Sequence, residues 1–285
     1  MAVSVIVTSY NSPATLRECL LSLSGQSYDE IVVADCSETD PAPSLEPEFP
    51  AVKFLRFPPR TPVPVLRWSA LKHTRFDVVL AVEARCVPAS GWVQALSDAH
   101  RRYPAVPAIG GAVDIGPGAS RFDRGLYFCE YGRFAPPLNE TQSADLSGAN
   151  LSYKRDALAG ESDLLQAGTW ETLLHVRWRE RGLNLVTIPA PVVFYNSMSP
   201  AVALRQRFHY GRAYAGNRAR RWMYLPLSPL LAPLLAWRIA RDALRSKYSR
   251  QFWGALPWVL GLTVAWSLGE LVGYAKGPPR RALNF

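Results

Sequence analysis

Two charged residues, Glu83 and Arg85, stand one residue apart at the end of the apolar run Val78-Val79-Leu80-Ala81-Val82, shortly before Pro88. Such a run is the pattern of a strand buried on both faces of a sheet. In open α/β sheets the ligand crevice lies beyond the carboxyl ends of the strands. The pair therefore sits where such a fold does its chemistry, or it is a salt-bridged surface pair at a strand end. A carboxylate there can hold a ribose or a cation, and a guanidinium can grip phosphate oxygens bidentately. Asp35 closes a second apolar run, Glu30 to Ala34. A carboxylate at that place accepts hydrogen bonds from a ribose or base, or else caps a turn. Arg67 falls on an expected helix, where it reaches a phosphate, pairs with a carboxylate or faces solvent. Glu171 opens another expected helix, a place where the dipole favours a carboxylate. In a cleft, desolvation raises the basicity of such a group and suits it to general-base work.

Other chemistries have little support. His73, His100, His175 and His209 show no metal-ligand spacing. His175 lies four residues after Glu171, on one helix face, which reads as a structural pair before a zinc site. Cys19, Cys36, Cys86 and Cys129 have no CxxC spacing, which suits a reducing compartment better than a disulfide framework. Neither a Gly-x-Ser-x-Gly elbow nor a phosphate-cradling P-loop is present.

These residues need elements to hold them. Residues 2–9 read as a buried strand, and Ser12-Pro13 opens a helix carrying Leu16, Cys19, Leu20 and Leu23 that stops at Gly25. The strand at 30–34 then implies a parallel crossover. A loop over 41–50, a strand over 52–57, a helix from Thr61 to about Lys72 and the strand over 77–83 follow. Ser90 is expected to cap a helix bearing Trp92, Val93, Leu96 and Ala99. A strand is expected within 105–115, irregular chain over 116–147, a short strand over 147–153, a helix from Glu171 to near Gly182 and a last strand over 183–194. Strands alternating with helices predict an α/β fold. The strand-like start of the chain predicts no signal peptide.

The 285 residues carry a net charge of +9 with 48% hydrophobic and 19% charged residues, which argues against disorder. Residues 1–200 hold 18 Lys and Arg against 21 Asp and Glu, whereas residues 201–285 hold 14 against 2. Ala201 to Arg221 reads as a basic helix with aromatic residues between its arginines. The next segment, 222–240, is apolar but broken by Pro226, Pro229 and Pro233. Phe252 to Gly269 is uncharged for 18 residues, close to the ~20 that cross a bilayer. It carries Trp253, Trp258 and Trp266 and ends at Glu270, followed by Lys276, Arg280 and Arg281. A true span, an in-plane hairpin and a soluble core helix all stay open. A basic, apolar tail points to an anionic membrane, with nucleic acid the competing and less favoured partner.

The order of these pieces resembles the family 2 glycosyltransferases, of the inverting GT-A type, over roughly residues 3–215. Val3 to Asn11 is similar to the family's opening strand and donor-base loop, which implies Thr8 and Tyr10 at the donor. Glu30 to Ser37 is similar to its second strand, whose Asp, here Asp35, contacts the base. Gly148-Ala149-Asn150 is similar to an acceptor-side Gly-x-Asn segment. Trp170-Glu171 falls where the family has Glu-Asp, so Glu171 inherits the base and Trp170 joins the acceptor side. Gln206-Arg207 and Tyr210-Gly211-Arg212 resemble a basic acceptor-side segment after the last strand. The family's Asp-x-Asp, which holds a divalent metal on the donor diphosphate, aligns with Glu83-Ala84-Arg85.

The resemblance thus implies donor contacts from Thr8, Tyr10, Asp35, Arg67, Glu83 and Arg85, with no nucleic acid as partner. It implies magnesium or manganese at Glu83, but arginine supplies no oxygen ligand. Arg85 instead suits a metal-independent or weakly metal-dependent site. The expected organisation is a GT-A domain over 1–198, mainly a parallel sheet flanked by helices, then a basic amphipathic segment over 199–221. A membrane-associated apolar helical hairpin over 222–285 completes it. The implied activity is inverting transfer from a nucleotide diphosphate sugar to a lipid-linked or membrane-proximal glycan, at the cytoplasmic face of the cell membrane. The alternative is a non-catalytic relative kept as a membrane binding module.

Overall fold

The computed structural model describes residues 1–278 apart from Ala167, Asn217 and Ala219. Arg280 and Arg281 of the basic flank lie outside the described residues. The chain forms two compact units: Met1–Asp114 with Pro136–Tyr195, and Ile115–Ala135 with the described residues from Asn196 to Pro278.

The first unit begins with β1 (Val3–Ser9), α1 (Pro13–Ser24) and β2 (Glu30–Asp35). Leu16, Cys19, Leu20 and Leu23 are the buried face of α1. Pro13 starts this helix, but the Ser12 hydroxyl donates to Tyr10 O rather than capping it. Within 41–50, expected as loop, α2 (Ala42–Leu45) makes a single turn. Then come β3 (Val52–Arg56), α3 (Val63–Leu71), β4 (Val78–Glu83), β5 (Cys86–Pro88), α4 (Trp92–Arg102) and β6 (Ala108–Ile115). The residue before α4 is Gly91, at φ 74°, so the chain turns into this helix through a left-handed glycine and not through Ser90.

The second unit inserts α5 (Arg121–Tyr131), in a stretch expected to be irregular. A capping box holds its start: Asp123 N donates to Ser120 Oγ at 3.1 Å, and Ser120 N donates to Asp123 Oδ2 at 2.8 Å. The first unit resumes with β7 (Thr141–Ser143), β8 (Asn150–Lys154), α6 (Arg155–Ala159), α7 (Ser162–Gln166), α8 (Glu171–Glu180) and β9 (Leu185–Phe194).

Among the described residues, nine strands form one sheet in the order β3-β2-β1-β4-β8-β6-β9-β5, with β7 paired to β9. The α/β expectation holds. β3, β2, β1 and β4 are parallel neighbours. β8 then joins β4 antiparallel and carries the sheet onward. Register matters most at the carboxyl ends of the parallel strands. Thr8 pairs with Glu83, Ser9 with Asp35, and Asp35 with Arg56. Every β4 residue from Val78 to Val82 is buried, and the run breaks at Glu83.

The second unit continues with α9 (Pro200–Gly216), a 3-10 stretch over Arg221–Leu230, α10 (Leu231–Arg245) and α11 (Ser249–Lys276). Phe122, Leu126, Ala203 and Leu262 form its core cluster. α11 is 28 residues long and contains an 18-residue window of mean hydropathy 1.4, so it is long and apolar enough to cross a membrane.

Candidate active site

The site is built where the carboxyl ends of the parallel strands meet β8 and the start of α8. Asp35 is buried, and both of its oxygens are engaged. Ser37 N donates to Oδ1 at 2.9 Å, Ser37 Oγ donates to Oδ2 at 2.7 Å, and Arg56 closes an ion pair on Oδ1. The same Arg56 also donates to Ser37 O. Of the two roles expected of Asp35, the structure shows the turn cap, with Arg56 as its counter-charge. Arg56 was legible only through register, since it ends β3 directly beside Asp35. Thr8 is buried next to Glu83, and its hydroxyl has no hydrogen-bond partner. Tyr10 is half-buried just past β1, near Arg60 of the loop after β3.

Glu83 and Arg85 face each other, with Arg85 Nη2 at 3.3 Å from Glu83 Oε2 and side chains 21% and 18% exposed for Arg85 and Glu83. The Arg85 guanidinium also lies over the Phe194 ring, 5.2 Å from its centroid. Phe194 ends β9, so Arg85 is oriented by two elements. A divalent cation takes oxygen ligands. Here one carboxylate carries a guanidinium, and no group of three His, Cys, Asp or Glu side chains comes together among the described residues. This donor set does not fit a divalent metal.

Arg67 is the hub of the second half. It is 1% exposed, not on a solvated helix face. Its Nη2 donates to Gly148 O at 2.8 Å, and its Nη1 lies 2.9 Å from Glu171 Oε2, off the hydrogen-bond axis. Of the two functional roles open to Arg67, the structure shows the carboxylate partner. Burial works against its charge, but Glu171, with Tyr153 and Glu83, outweighs burial and holds its pKa above the ordinary arginine value. Arg67 thereby ties Gly148, just before β8, to the α8 carboxylate.

Glu171 is 7% exposed at its side chain. A Cβ on Gly148 would fall 1.7 Å from its Oε1 and 3.3 Å from Arg67 Nη1. Any side chain at 148 would therefore have to displace the Glu171 carboxylate from its place beside Arg67. Behind the pair runs a chain of side chains that no sequence spacing signals. His175 Nδ1 lies 2.6 Å from Asp145 Oδ1, and His175 Nε2 lies 3.1 Å from Tyr153 Oη. The expected Glu171–His175 pair does not form; the histidine turns to Asp145 and Tyr153. Burial, then the Glu171 charge, pushes the Tyr153 phenol well above its usual pKa, so it stays protonated. Further along α8, Trp178 Nε1 donates to Glu161 Oε1 at 3.0 Å, and Arg177 and Arg181 pair with the same buried carboxylate.

Asn150 is fully buried and spent on the scaffold. Its amide nitrogen donates to Ala112 O at 2.7 Å and Ala190 O at 2.8 Å, and its oxygen accepts from Trp92 Nε1 at 2.8 Å. It fastens β8 to its neighbours rather than facing a ligand. Trp170 is exposed immediately before α8. Arg207 and Arg212 belong to the second unit, where Arg207 donates to Cys129 O and stacks on Trp266 and Arg212 donates to Gly277 O.

The sequence model of the family described as glycosyl transferase family 2 matches residues 4–159, more than half of the chain. The chain belongs to this family. It is a glycosyltransferase, and the non-catalytic alternative falls away. The matched stretch holds Thr8, Tyr10, Asp35, Arg67, Glu83, Arg85, Gly148 and Asn150; Trp170 and Glu171 lie beyond it. No curated protein matches the glycosyltransferase by sequence. Among solved structures, it is similar to the mannosyltransferase PcManGT from Pyrobaculum calidifontis, solved with GDP-Man and Mn2+. Identity is 18% and the TM-score 0.53, over 92% of this chain and 86% of that one. It is also similar to the 1–349 fragment of TarS from S. aureus, at 14% identity and a TM-score of 0.51, over 99% of this chain and 93% of that one. These likenesses establish the GT-A-type fold.

Proposed function

We propose that this glycosyltransferase moves a sugar from a nucleotide diphosphate sugar to a lipid-linked or membrane-proximal glycan, with inversion, at the cytoplasmic face of an anionic membrane. The observation that carries the donor half is the Glu83–Arg85 pair at the end of β4, beside Thr8 of β1 and two strands from Asp35 of β2. GDP-Man in the similar mannosyltransferase supports a nucleotide sugar as the donor class. Thr8, Tyr10 and Asp35 line the base and ribose side. Glu83 takes the ribose or sugar hydroxyls. Arg85 meets the diphosphate, where a bidentate guanidinium neutralises the charge that grows as the leaving group departs.

Glu171 is the general base. It takes the proton of the acceptor hydroxyl while that oxygen attacks the anomeric carbon, and the nucleoside diphosphate leaves from the opposite face. One base and one displacement invert the anomeric centre. Arg67 and Gly148 fix the carboxylate and Trp170 offers an exposed apolar wall beside it, which supports an acceptor at this end of α8. Burial of Glu171 comes with the Arg67 counter-charge, so its fitness as a base rests on placement more than on desolvation alone. The basic, apolar second unit supports the membrane-proximal acceptor.

The test is donor binding and turnover in chelator. Transfer should persist without divalent metal, Arg85→Ala should weaken donor affinity at least tenfold, and Glu171→Gln should abolish turnover while donor binding stays. A strict metal requirement, lost in chelator and restored by manganese, would refute the Arg85 assignment. Near-normal turnover of folded Glu171→Gln would refute the base.

A further inference from the structure

The second unit raises a question that length alone leaves open, namely which way α11 meets the bilayer. Its apolar run suffices for a crossing. Its neighbours decide otherwise. On one face, α9 runs alongside it in backbone contact. A Cβ on Gly269 would fall 1.9 Å from Phe208 O, one on Gly211 2.2 Å from Trp266 O, and one on Gly273 2.4 Å from Arg212 O. With Ala203 packed on Leu262, this pairing covers α11 from its middle to its C-terminal end. Toward the N-terminal end, α5 takes over: a Cβ on Gly125 would fall 2.5 Å from Trp258 Cβ, and Phe122 and Phe128 stack on Trp258 and Phe252.

Both partners are charged helices. α9 carries Arg205, Arg207, His209 and Arg212, and α5 carries Arg121, Asp123, Arg124 and Glu130. Arg207 stacks on Trp266, 5.1 Å from its ring centroid, inside the uncharged run of α11 and three residues before that run ends. If α11 crossed the bilayer, this guanidinium and the neighbouring Arg205 would be drawn into the hydrocarbon region beside the apolar run, where a charged side chain is expensive. Glu270, buried between Trp266 and Tyr274, would enter too. The opposite face of α11 is different. Trp253, Leu260, Val264, Leu268 and Leu271 are all exposed there, spaced seven, four, four and three residues apart as a single stripe. Between α9 and α11, exposed Trp222, Leu227, Leu230, Leu234 and Trp237 are flanked by Arg221 on one side and by Arg238 and Arg241 on the other. Exposed apolar side chains bordered by cations are the composition of an element lying in an anionic interface.

We propose that α11 lies in the plane of one leaflet of an anionic phospholipid bilayer, its 253–271 stripe facing the acyl chains and its α9 and α5 face turned to water, and that it does not cross. This rests on the membrane association proposed above. The experiment uses the full chain in vesicles of phosphatidylcholine and phosphatidylglycerol, with single cysteines introduced by Arg250→Cys, Lys276→Cys or Glu18→Cys. The background is Cys129→Ser, the remaining three cysteines being buried. A membrane-impermeant maleimide is added before and after lysis. In-plane seating predicts one pre-lysis labelled fraction for all three sites. A crossing helix predicts that the fractions at 250 and 276 differ and sum to the whole, which overturns the proposal while leaving membrane association standing. Failure to float with vesicles overturns both. Leu260→Glu with Leu268→Glu should cut vesicle binding at least tenfold, whereas Leu173→Glu, an exposed leucine of the first unit, should leave it unchanged; equal binding by both variants counts against the stripe.

Discussion

Gly148→Ala adds one carbon and should cost both stability and turnover. The new Cβ would fall 1.7 Å from Glu171 Oε1. Taking ordinary contact as ~3.5 Å, the oxygen must retreat by about 1.8 Å. Glu171 cannot retreat freely, because its Oε2 stands 2.9 Å from Arg67, which Gly148 O also holds. Separating a buried pair by removing a partner costs ~3–5 kcal/mol, so displacing one should cost about 3 kcal/mol. A misplacement of ~1 Å costs a catalytic group roughly 100-fold in rate, so turnover should fall at least that far in the protein that remains folded. Urea unfolding reads the first effect, and release of nucleoside diphosphate at saturating donor reads the second. Gly160→Ala is the control, since nothing lies within 4 Å of its Cβ position and its φ of −79° suits alanine. It should be neutral or gain ~0.4–1 kcal/mol. Gly148→Ala with Glu171→Asp shortens the displaced side chain and should recover most of the lost stability but little of the rate. If Gly148→Ala matches the parent in both assays, the Arg67–Glu171–Gly148 geometry is not what holds the base.

Arg67→Met should destabilise the chain by ~3–5 kcal/mol by leaving Glu171 buried and uncompensated, and Arg67→Met with Glu171→Leu should regain most of it; denaturant titration of both decides. His100 is buried, and burial, with the Lys154 charge, depresses its pKa from 6.5 to about 3. The unfolded chain therefore binds a proton from about pH 6.5 downward that the folded chain refuses until about pH 3. This stability is fully present above pH 6.5 and is lost at up to ~1.4 kcal/mol per pH unit as pH falls toward 3. Unfolding free energies at pH 7, 5 and 4 should fall less steeply for His100→Gln than for the parent. Ser120→Ala removes one half of the α5 capping box and should cost ~0.5–2 kcal/mol in thermal or urea unfolding, without moving donor affinity.

Much of the first unit was legible because its signals are local. The apolar runs over 3–9, 30–35 and 78–83, the proline starts of α1 and α3 and the helical spacing of α1 each act within a few residues. So did the position of Glu83, Arg85 and Asp35 at strand ends. What stayed hidden depends on pairing across the sheet or between helices. Arg56 looks like any strand arginine until register sets it beside Asp35. Asp145 and Tyr153 are distant in sequence from His175, so their chain has no spacing to read. Asn150 looked like a ligand-facing amide because its motif does, whereas the fold encloses it. α5 was missed although Ser120-x-x-Asp123 spells its cap, because Gly, Pro and aromatic residues around it drew the reading toward loop.

Arg85, lying over Phe194 and paired with Glu83, already has its rotamer set before any anion arrives. An arginine side chain carries ~2 kcal/mol of rotamer entropy, which a free one gives up on binding. Here most of that ordering is completed during folding. An anion recruited to Arg85 should therefore bind with a smaller entropic penalty than at a mobile surface arginine. Phe194→Leu, which touches no anion, should return that penalty as a calorimetric entropy term while leaving the charge in place.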